Sequence, residues 1–272
     1  MNKEIYIGNK LFQLGKQTYI MGILNVTPDS FSDGGKFINV EKAVNHAKEM
    51  ISQGADIIDI GGESTRPNHI PVGEDEEIKR VIPIIKALSQ ETNIPISVDT
   101  YKAKVAECSI LEGASLINDV WGFKKDKDMA KVAAKYNATC CLMHNRENNN
   151  YKDLMADIIM DLKESINLAL TAGVREDKII IDPGIGFAKN YEQNLEVMNK
   201  LEMLSTLGYP VLLATSKKSM IGNTLNLPPE ERGEGTLATT VIGIMKNCDF
   251  VRIHDVKENK RVCRMTDAII RK

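Results

Sequence analysis

Three features of the 272-residue sequence predict an α/β chain closed into a (β/α)8 TIM barrel. Short β-branched runs recur eight times, an amphipathic stretch follows most of them, and the length suits one such barrel. Strand alternating with helix argues for a parallel sheet with right-handed crossovers. Eight units at this length favour closure over an open doubly wound sheet.

Residues 5–14 read as a short N-terminal β-hairpin turning at Gly8-Asn9, a piece suited to covering one end of a barrel. Barrel strands are expected at 19–24, 56–60, 94–98, 115–117, 138–143, 178–181, 210–214 and 250–253. Between them, Ile78, Val81, Ile82, Ile85 and Leu88 share one helical face, as do Leu195, Met198, Leu201 and Leu204. Cys140 and Cys141 adjoin within a strand, so their side chains should face opposite ways. The Asn-rich tract 145–150 is polar enough for a mobile loop. No linker or composition shift divides the chain, so residues 1–272 are expected to form a single domain.

Composition excludes several classes of function. Hydrophobic residues make up 43% and charged residues 26%, which is ordinary for a globular protein and too apolar for disorder. Thirty-five basic against 37 acidic residues leave a net charge of -2, so no nucleic acid and no anionic membrane is expected as partner. No apolar run approaches the roughly 18 residues of a membrane span, and the opening residues lack a signal peptide's apolar core. Five cysteines without zinc spacing suggest buried thiols in a reducing, cytoplasmic setting.

In such barrels the active site lies at the carboxyl ends of the strands. Those ends carry Asn25, Asp59, Asp99, Asn118 with Asp119, His144, Asp182, Ser216 with Lys218, and Arg252 with His254. Any one alone is readily a cap or turn residue. A ring of them is not, because crowded carboxylates require cationic or hydrogen-bonding partners. The loops 25–35 and 61–67 are long and suit lids over a reactive centre. The stretch from Ser216 to Ser219 sits at an expected helix start, where free N–H groups and lysines can hold phosphate. Arg252 and His254 lie two apart on one strand face and suit a shared anion; the bland alternative is an ion pair with Asp249 or Asp255.

The segments M-G-I-L-N-V-T-P-D-S-F-S-D-G-G, I-D-I-G-G-E-S-T-R-P, S-V-D-T, I-N-D-V, L-M-H, I-D-P-G-I-G-F, S-K-K-S-M-I-G and V-R-I-H-D-V run in order from Met21 to Val256. Together they resemble the dihydropteroate synthase family of pterin-binding barrels. The resemblance implies attack by p-aminobenzoate on the methylene of a pterin diphosphate, with diphosphate leaving. It implies pterin binding by Asp99, Asn118, Met143, Asp182 and Lys218. Asn25, Asp59, Arg252 and His254 match the diphosphate site, with Mg²⁺ as cofactor and Asn25 as its protein ligand. Phe31, Thr65, Arg66, Phe187 and Ser219 match the p-aminobenzoate pocket. Asp33, Asp99, Lys218, Arg252 and His254 are the catalytic candidates, sulfonamides are possible inhibitors, and a homodimer through the helices near strands seven and eight is implied. The apolar stretch 236–245 fits such a face, and equally fits barrel core.

The chain departs from the family where Ala214 and Lys217 replace glycine and arginine. Two rivals follow: a pterin-dependent methyltransferase, which would not use Asn25, Arg252 and His254 as a diphosphate grip, and a non-catalytic pterin-binding protein, which Asp33, Arg66 and His254 argue against.

Overall fold

The structure, a computed structural model, describes residues 4–26, 36–63 and 71–271. It begins with the antiparallel hairpin β1 (Glu4–Ile7) and β2 (Lys10–Gln13), turning at Gly8 with φ of +58°. Eight parallel strands follow: β3 (Tyr19–Asn25), β4 (Ile57–Gly61), β5 (Ile96–Asp99), β6 (Leu116–Asp119), β7 (Thr139–Met143), β8 (Ile179–Asp182), β9 (Leu212–Leu213) and β10 (Phe250–Ile253). Around them pack α1 (Lys36–Ser52), α2 (Glu74–Glu91), α3 (Ala103–Leu111), α4 (Met129–Lys135), α5 (Leu154–Thr171), α6 (Tyr191–Asn199), α7 (Ser219–Leu225), α8 (Gly233–Met245) and α9 (Val256–Ile270).

The strands pair in the order β8-β7-β6-β5-β4-β3-β10-β9, and a parallel bridge from Ile181 to Val211 joins the ends. The sheet is therefore a closed barrel with the expected hairpin at its start. Closure abolishes the edges that an open sheet would expose.

Side chains alternate across each strand, so one parity enters the barrel and the other meets the helices. Ile20, Ile58, Val98, Ile117, Cys140, Ile181 and Val251 pack outward against the helices. Tyr19, Met21, Ile57, Leu116, Cys141, Ile180, Leu212 and Phe250 fill the lower interior, together with Ile5, Ile7 and Phe12 from the hairpin. Cys140 and Cys141 thus fall in different cores, as alternation requires, and all five cysteines are thiols. The hairpin is a plug: Phe12 meets Tyr19 edge-on at 4.8 Å and Phe250 at 5.7 Å. Lys178 Nζ donates to the Tyr6 carbonyl at 2.7 Å, and the Thr139 hydroxyl donates to the same oxygen at 2.9 Å.

One local expectation is corrected. Leu195 is 40% exposed, because the buried face of α6 runs through Asn194, Val197 and Met198 and leaves Leu195 beside it. The Asn-rich tract is a loop with residues 147–150 exposed and is held at its ends. Arg146 bonds Asp161 and the Asn150 carbonyl, and its guanidinium stacks 4.7 Å from the Tyr151 ring centroid.

With Phe12 fully buried, Phe12→Ala should cost about 3–5 kcal/mol by leaving a cavity under the barrel. Urea denaturation checks this, and a loss below about 1 kcal/mol would show that the hairpin is not a plug.

Candidate active site

The parity that buries Tyr19, Met21, Leu116 and Phe250 in the lower barrel brings polar residues inside one or two steps further along each strand. Asp99 lies beside Asn118 in register, Ile23 beside Asp59, and Met143 beside Asp182. Asp59, Asp99, Asn118, Met143 and Asp182 are all buried. Arg252, two residues after Phe250, reaches across the same space.

Arg252 organises the centre. Its Nε donates to Asp59 Oδ2 at 2.5 Å and its Nη2 donates to Asp99 Oδ2 at 2.6 Å, while Asn118 Nδ2 donates to Asp59 Oδ2 at 3.1 Å. The expected alternative pairing of Arg252 with Asp249 or Asp255 is absent from these contacts. Lys217 takes Asp255 instead, at 2.9 Å. A guanidinium has five N–H donors and two are spent here, so donors remain for an anion. Asp59 Oδ1 and Asp99 Oδ1 are buried without a hydrogen-bond partner. Such orphaned acceptors are costly and mark where a ligand's donors are missing.

On the other side, Asp182 Oδ1 accepts the Gly184 N–H at 2.7 Å. Gly184 has φ of +69°, and a Cβ there would lie 2.0 Å from the His144 carbonyl oxygen, so only glycine permits this turn. Lys218 Nζ donates to the Ile185 carbonyl at 2.8 Å and sits 4.2 Å from the Phe187 ring centroid. Gly186 leaves room for it: a Cβ there would be 3.0 Å from Lys218 Cδ. The Ser216 hydroxyl accepts the His254 backbone N–H at 3.2 Å and contacts the ring Nδ1 at 2.8 Å.

The electrostatics follow from burial. Asp99 is pushed up to about 7 by desolvation, with Arg252 opposing and Asp59 adding to the rise. Burial lifts Asp182 to about 6, against the Gly184 N–H and Lys218. Lys218 is depressed to about 8 by desolvation, with Asp182 pulling the other way. Arg252 is driven upward by Asp59 and Asp99 despite burial and stays charged. The centre therefore sets three carboxylates against two cations, an excess of acceptors that welcomes N–H donors or positive charge.

Asn25 is exposed at the end of β3, and Ser219 is exposed as the first residue of α7. The Asn25 and Asp99 side chains both flank Gly61, within 4 Å of the point where its Cβ would stand. Phe31, Asp33, Thr65 and Arg66 lie outside the described residues. Ala214 packs its methyl into the lower interior core, and Lys217, paired with Asp255, is turned from the centre. Neither departure removes a group from the ring.

Sequence reasoning passed over two lysines. Lys102 joins the buried Glu63 and Glu77, and Lys189 lies under the turn after Asp182. Both sit in helix-entry or loop positions where lysine is usually solvated, and only the partners' burial reveals them. His144 is fully buried against Asp161 and Lys189, which leaves Met143 as the residue at that strand end facing the centre. An open groove of about 660 Å³ lies between the loops after β6 and β7, beside Trp121, Lys124 and Arg146; it shares no residue with the ring.

Asp99 and Asp182 hold protons in the folded state at pH values where the unfolded chain, near 3.8, has released them. Their contribution to stability is full below about pH 4 and is lost as pH rises through about 6 to 7. Asp99→Asn removes one of these titrations. Its unfolding free energy, measured in urea between about pH 5 and 8, should fall less steeply with pH than that of the parent protein.

Comparison with known proteins agrees with this geometry. A family model described as pterin binding enzyme matches residues 21–254. The chain is 68% identical over 267 residues to the dihydropteroate synthase of Clostridium beijerinckii, covering 98% of this chain and 99% of that protein. It is 61% identical over 257 residues to the Bacillus subtilis dihydropteroate synthase, covering 94% of this chain and 90% of that one. The Clostridium difficile dihydropteroate synthase, crystallised with pteroic acid, superposes with a TM-score of 0.94 at 59% identity, over 96% of this chain and 100% of that chain. A Xanthomonas albilineans dihydropteroate synthase with 4-aminobenzoic acid gives 0.93 at 35% identity, over 99% and 98%.

Proposed function

The chain belongs to the pterin-binding enzymes, among the dihydropteroate synthases, and on that premise we propose how its strand-end ring carries the reaction. The activity is the transferase step of folate biosynthesis, in which p-aminobenzoate and 6-hydroxymethyl-7,8-dihydropterin diphosphate give 7,8-dihydropteroate and diphosphate. The observation that supports these residue roles best is the buried set of Asp59, Asp99, Asn118 and Asp182 with its orphaned acceptors.

A pterin presents a guanidine-like edge of N–H donors. Asp182 accepts from that edge, Asp99 and Asn118 bind the remaining ring heteroatoms, Lys218 donates to a ring acceptor, and Met143 packs on the ring. Asp182 must be ionised to accept fully, so pterin affinity should weaken as pH falls below about 6. The diphosphate lies against the unspent donors of Arg252 and the imidazole of His254. Asp59, holding Arg252 Nε, aims that guanidinium. Phe187 and Ser219 line the p-aminobenzoate side, with Phe31, Thr65 and Arg66 assigned there by resemblance.

Magnesium fits this donor set. Among the described residues no three His, Cys, Asp or Glu side chains gather as a metal site, and magnesium bound through phosphates needs only one or two protein oxygens. Asn25 would supply one, beside the acceptor-rich Asp99, and the ion would neutralise charge on the departing diphosphate. The residues themselves do the rest. The methylene–oxygen bond breaks, its electron pair leaves with diphosphate, and Arg252 and His254 stabilise that charge. Positive charge growing on the pterin methylene is met by the surplus carboxylate of Asp99, with Asp33 assigned a like role by resemblance, which favours a dissociative path. The neutral aniline nitrogen then forms the new C–N bond and releases its extra proton to solvent, so no strong base is needed.

Sulfonamides occupy the enzyme of Yersinia pestis, and we propose them as competitors of p-aminobenzoate here. We also propose a homodimer. Helix α8 buries Thr236, Thr240, Gly243 and Ile244 yet leaves Ile242 and Met245 exposed, and α9, which packs on α8, exposes Met265 and Ile269. No helix among the described residues is long and apolar enough to cross a membrane; the cytoplasmic location is proposed from the sequence.

Purified protein with Mg²⁺ and the pterin diphosphate should release diphosphate only when p-aminobenzoate is added, with dihydropteroate as product. Tight pterin binding without turnover would instead indicate a binding protein. Arg252→Lys keeps charge but loses the fork, and kcat/KM for the pterin diphosphate should drop about 100-fold. A change under about twofold would remove Arg252 from the mechanism.

A further inference from the structure

The turn after β8 carries three parts of the proposed site: the Asp182 carboxylate, the Ile185 carbonyl that holds Lys218, and the Phe187 ring. What holds the turn is a residue with no part in that account. Lys189 folds its side chain back under it, and the amine meets the Gly184 carbonyl at 2.9 Å, the Phe187 carbonyl at 3.0 Å and His144 Nδ1 at 2.9 Å. An ammonium has three N–H donors and no acceptor, and here it finds three acceptors.

The partners enforce that reading. His144 Nε2 lies 3.0 Å from Asp161 Oδ2, and an ionised carboxylate only accepts, so Nε2 carries the ring proton and Nδ1 offers a lone pair to Lys189. Asp161 is in turn held by Arg146 and kept well below the usual carboxylate range, desolvation being outweighed by its bonds to His144 and Arg146. Burial drives His144 down to about 4, so the ring is neutral at ordinary pH. The His144 backbone N–H also donates to the Asp182 carbonyl at 2.8 Å, so the ring and the turn are braced against each other at the end of β7. A lysine that lost its proton would have two donors for three acceptors, and one of these contacts would be lost.

We propose that Lys189 is a positioning residue of the condensation: its ammonium, oriented by His144 and Asp161, locks the 182–187 turn so that Asp182, Lys218 and Phe187 stand correctly for the pterin and p-aminobenzoate. This rests on the synthase reading above. Lys189 touches neither substrate. It sets the backbone that carries both sites, so its loss disturbs the two substrates together, and misplacement of binding groups by an ångström is enough to cost one to two orders of magnitude.

The test is Lys189→Ala assayed by steady-state kinetics and thermal melting beside the parent protein, with propylammonium or propanol added. The truncation removes the length of a propylammonium, so that ion restores the charge and three donors while propanol restores bulk and one donor without charge. KM for both substrates should rise about tenfold with kcat changing less than about threefold. Propylammonium should lower both KM values again, and propanol should not. A folded variant with both KM values within about twofold of the parent, or equal rescue by propanol, overturns the role. If Lys189→Ala does not fold, Lys189→Gln keeps two N–H donors and fills the space; KM values at least about threefold raised support the role and unchanged ones overturn it. Absence of turnover in the parent protein removes the synthase reading and this role with it, whereas normal parent turnover with unaffected variants removes only Lys189.

Discussion

The guanidinium of Arg252, forked between Asp59 and Asp99 inside a closed barrel, is the interaction on which the rest of the site depends. Two carboxylates buried this near each other would repel strongly and carry an uncompensated desolvation cost. A lysine would satisfy that charge without fixing direction, whereas the planar fork holds both carboxylates in place and keeps donors in reserve. Removing one partner of such a buried set costs about 3–5 kcal/mol, so the same contact that prepares an anion site also stabilises the upper barrel.

The barrel is asymmetric along its axis for a related reason. Its lower interior is apolar and sealed by the hairpin through Ile5, Ile7 and Phe12, so the polar upper layer lies over a dry floor. Desolvation from below is what raises Asp99 and Asp182 and depresses Lys218. A site built this way binds by exchanging unsatisfied protein acceptors for ligand donors, which rewards a ring with a matching donor edge and penalises one without it. The turn after β8 adds a second level of support, in which the chain's own ammonium bonds the Gly184 and Phe187 carbonyls.

Much of this was legible before any coordinates. Alternation of strand and helix announced the barrel, residue parity within a strand foretold that Cys140 and Cys141 would face apart, and strand-end position gathered Asp59, Asp99, Asn118 and Asp182 at one end of the barrel. Parity is a local property of extended backbone and survives folding unchanged. The apolar stretch 236–245 was ambiguous because periodicity reports a buried face without naming what buries it. The structure divides α8 between core and exposed surface. Leu195 lies off the buried face because a polar residue, Asn194, takes that place and accepts the Gly186 N–H, and a pattern of apolar residues does not register it.

The sequence by itself determined the closed fold, the ring of strand-end residues and the family to which they belong, because these depend on periodicity and on residue types at set places along the chain. Only the tertiary structure decided which charges meet. Arg252 chose Asp59 and Asp99, 193 and 153 positions away, over the neighbouring Asp249 and Asp255. Lys217 took Asp255, and Lys189 found His144 across 45 residues. Those pairings arise when barrel closure brings distant strand ends within hydrogen-bonding range in a place that water does not screen, and a linear pattern carries no record of that distance.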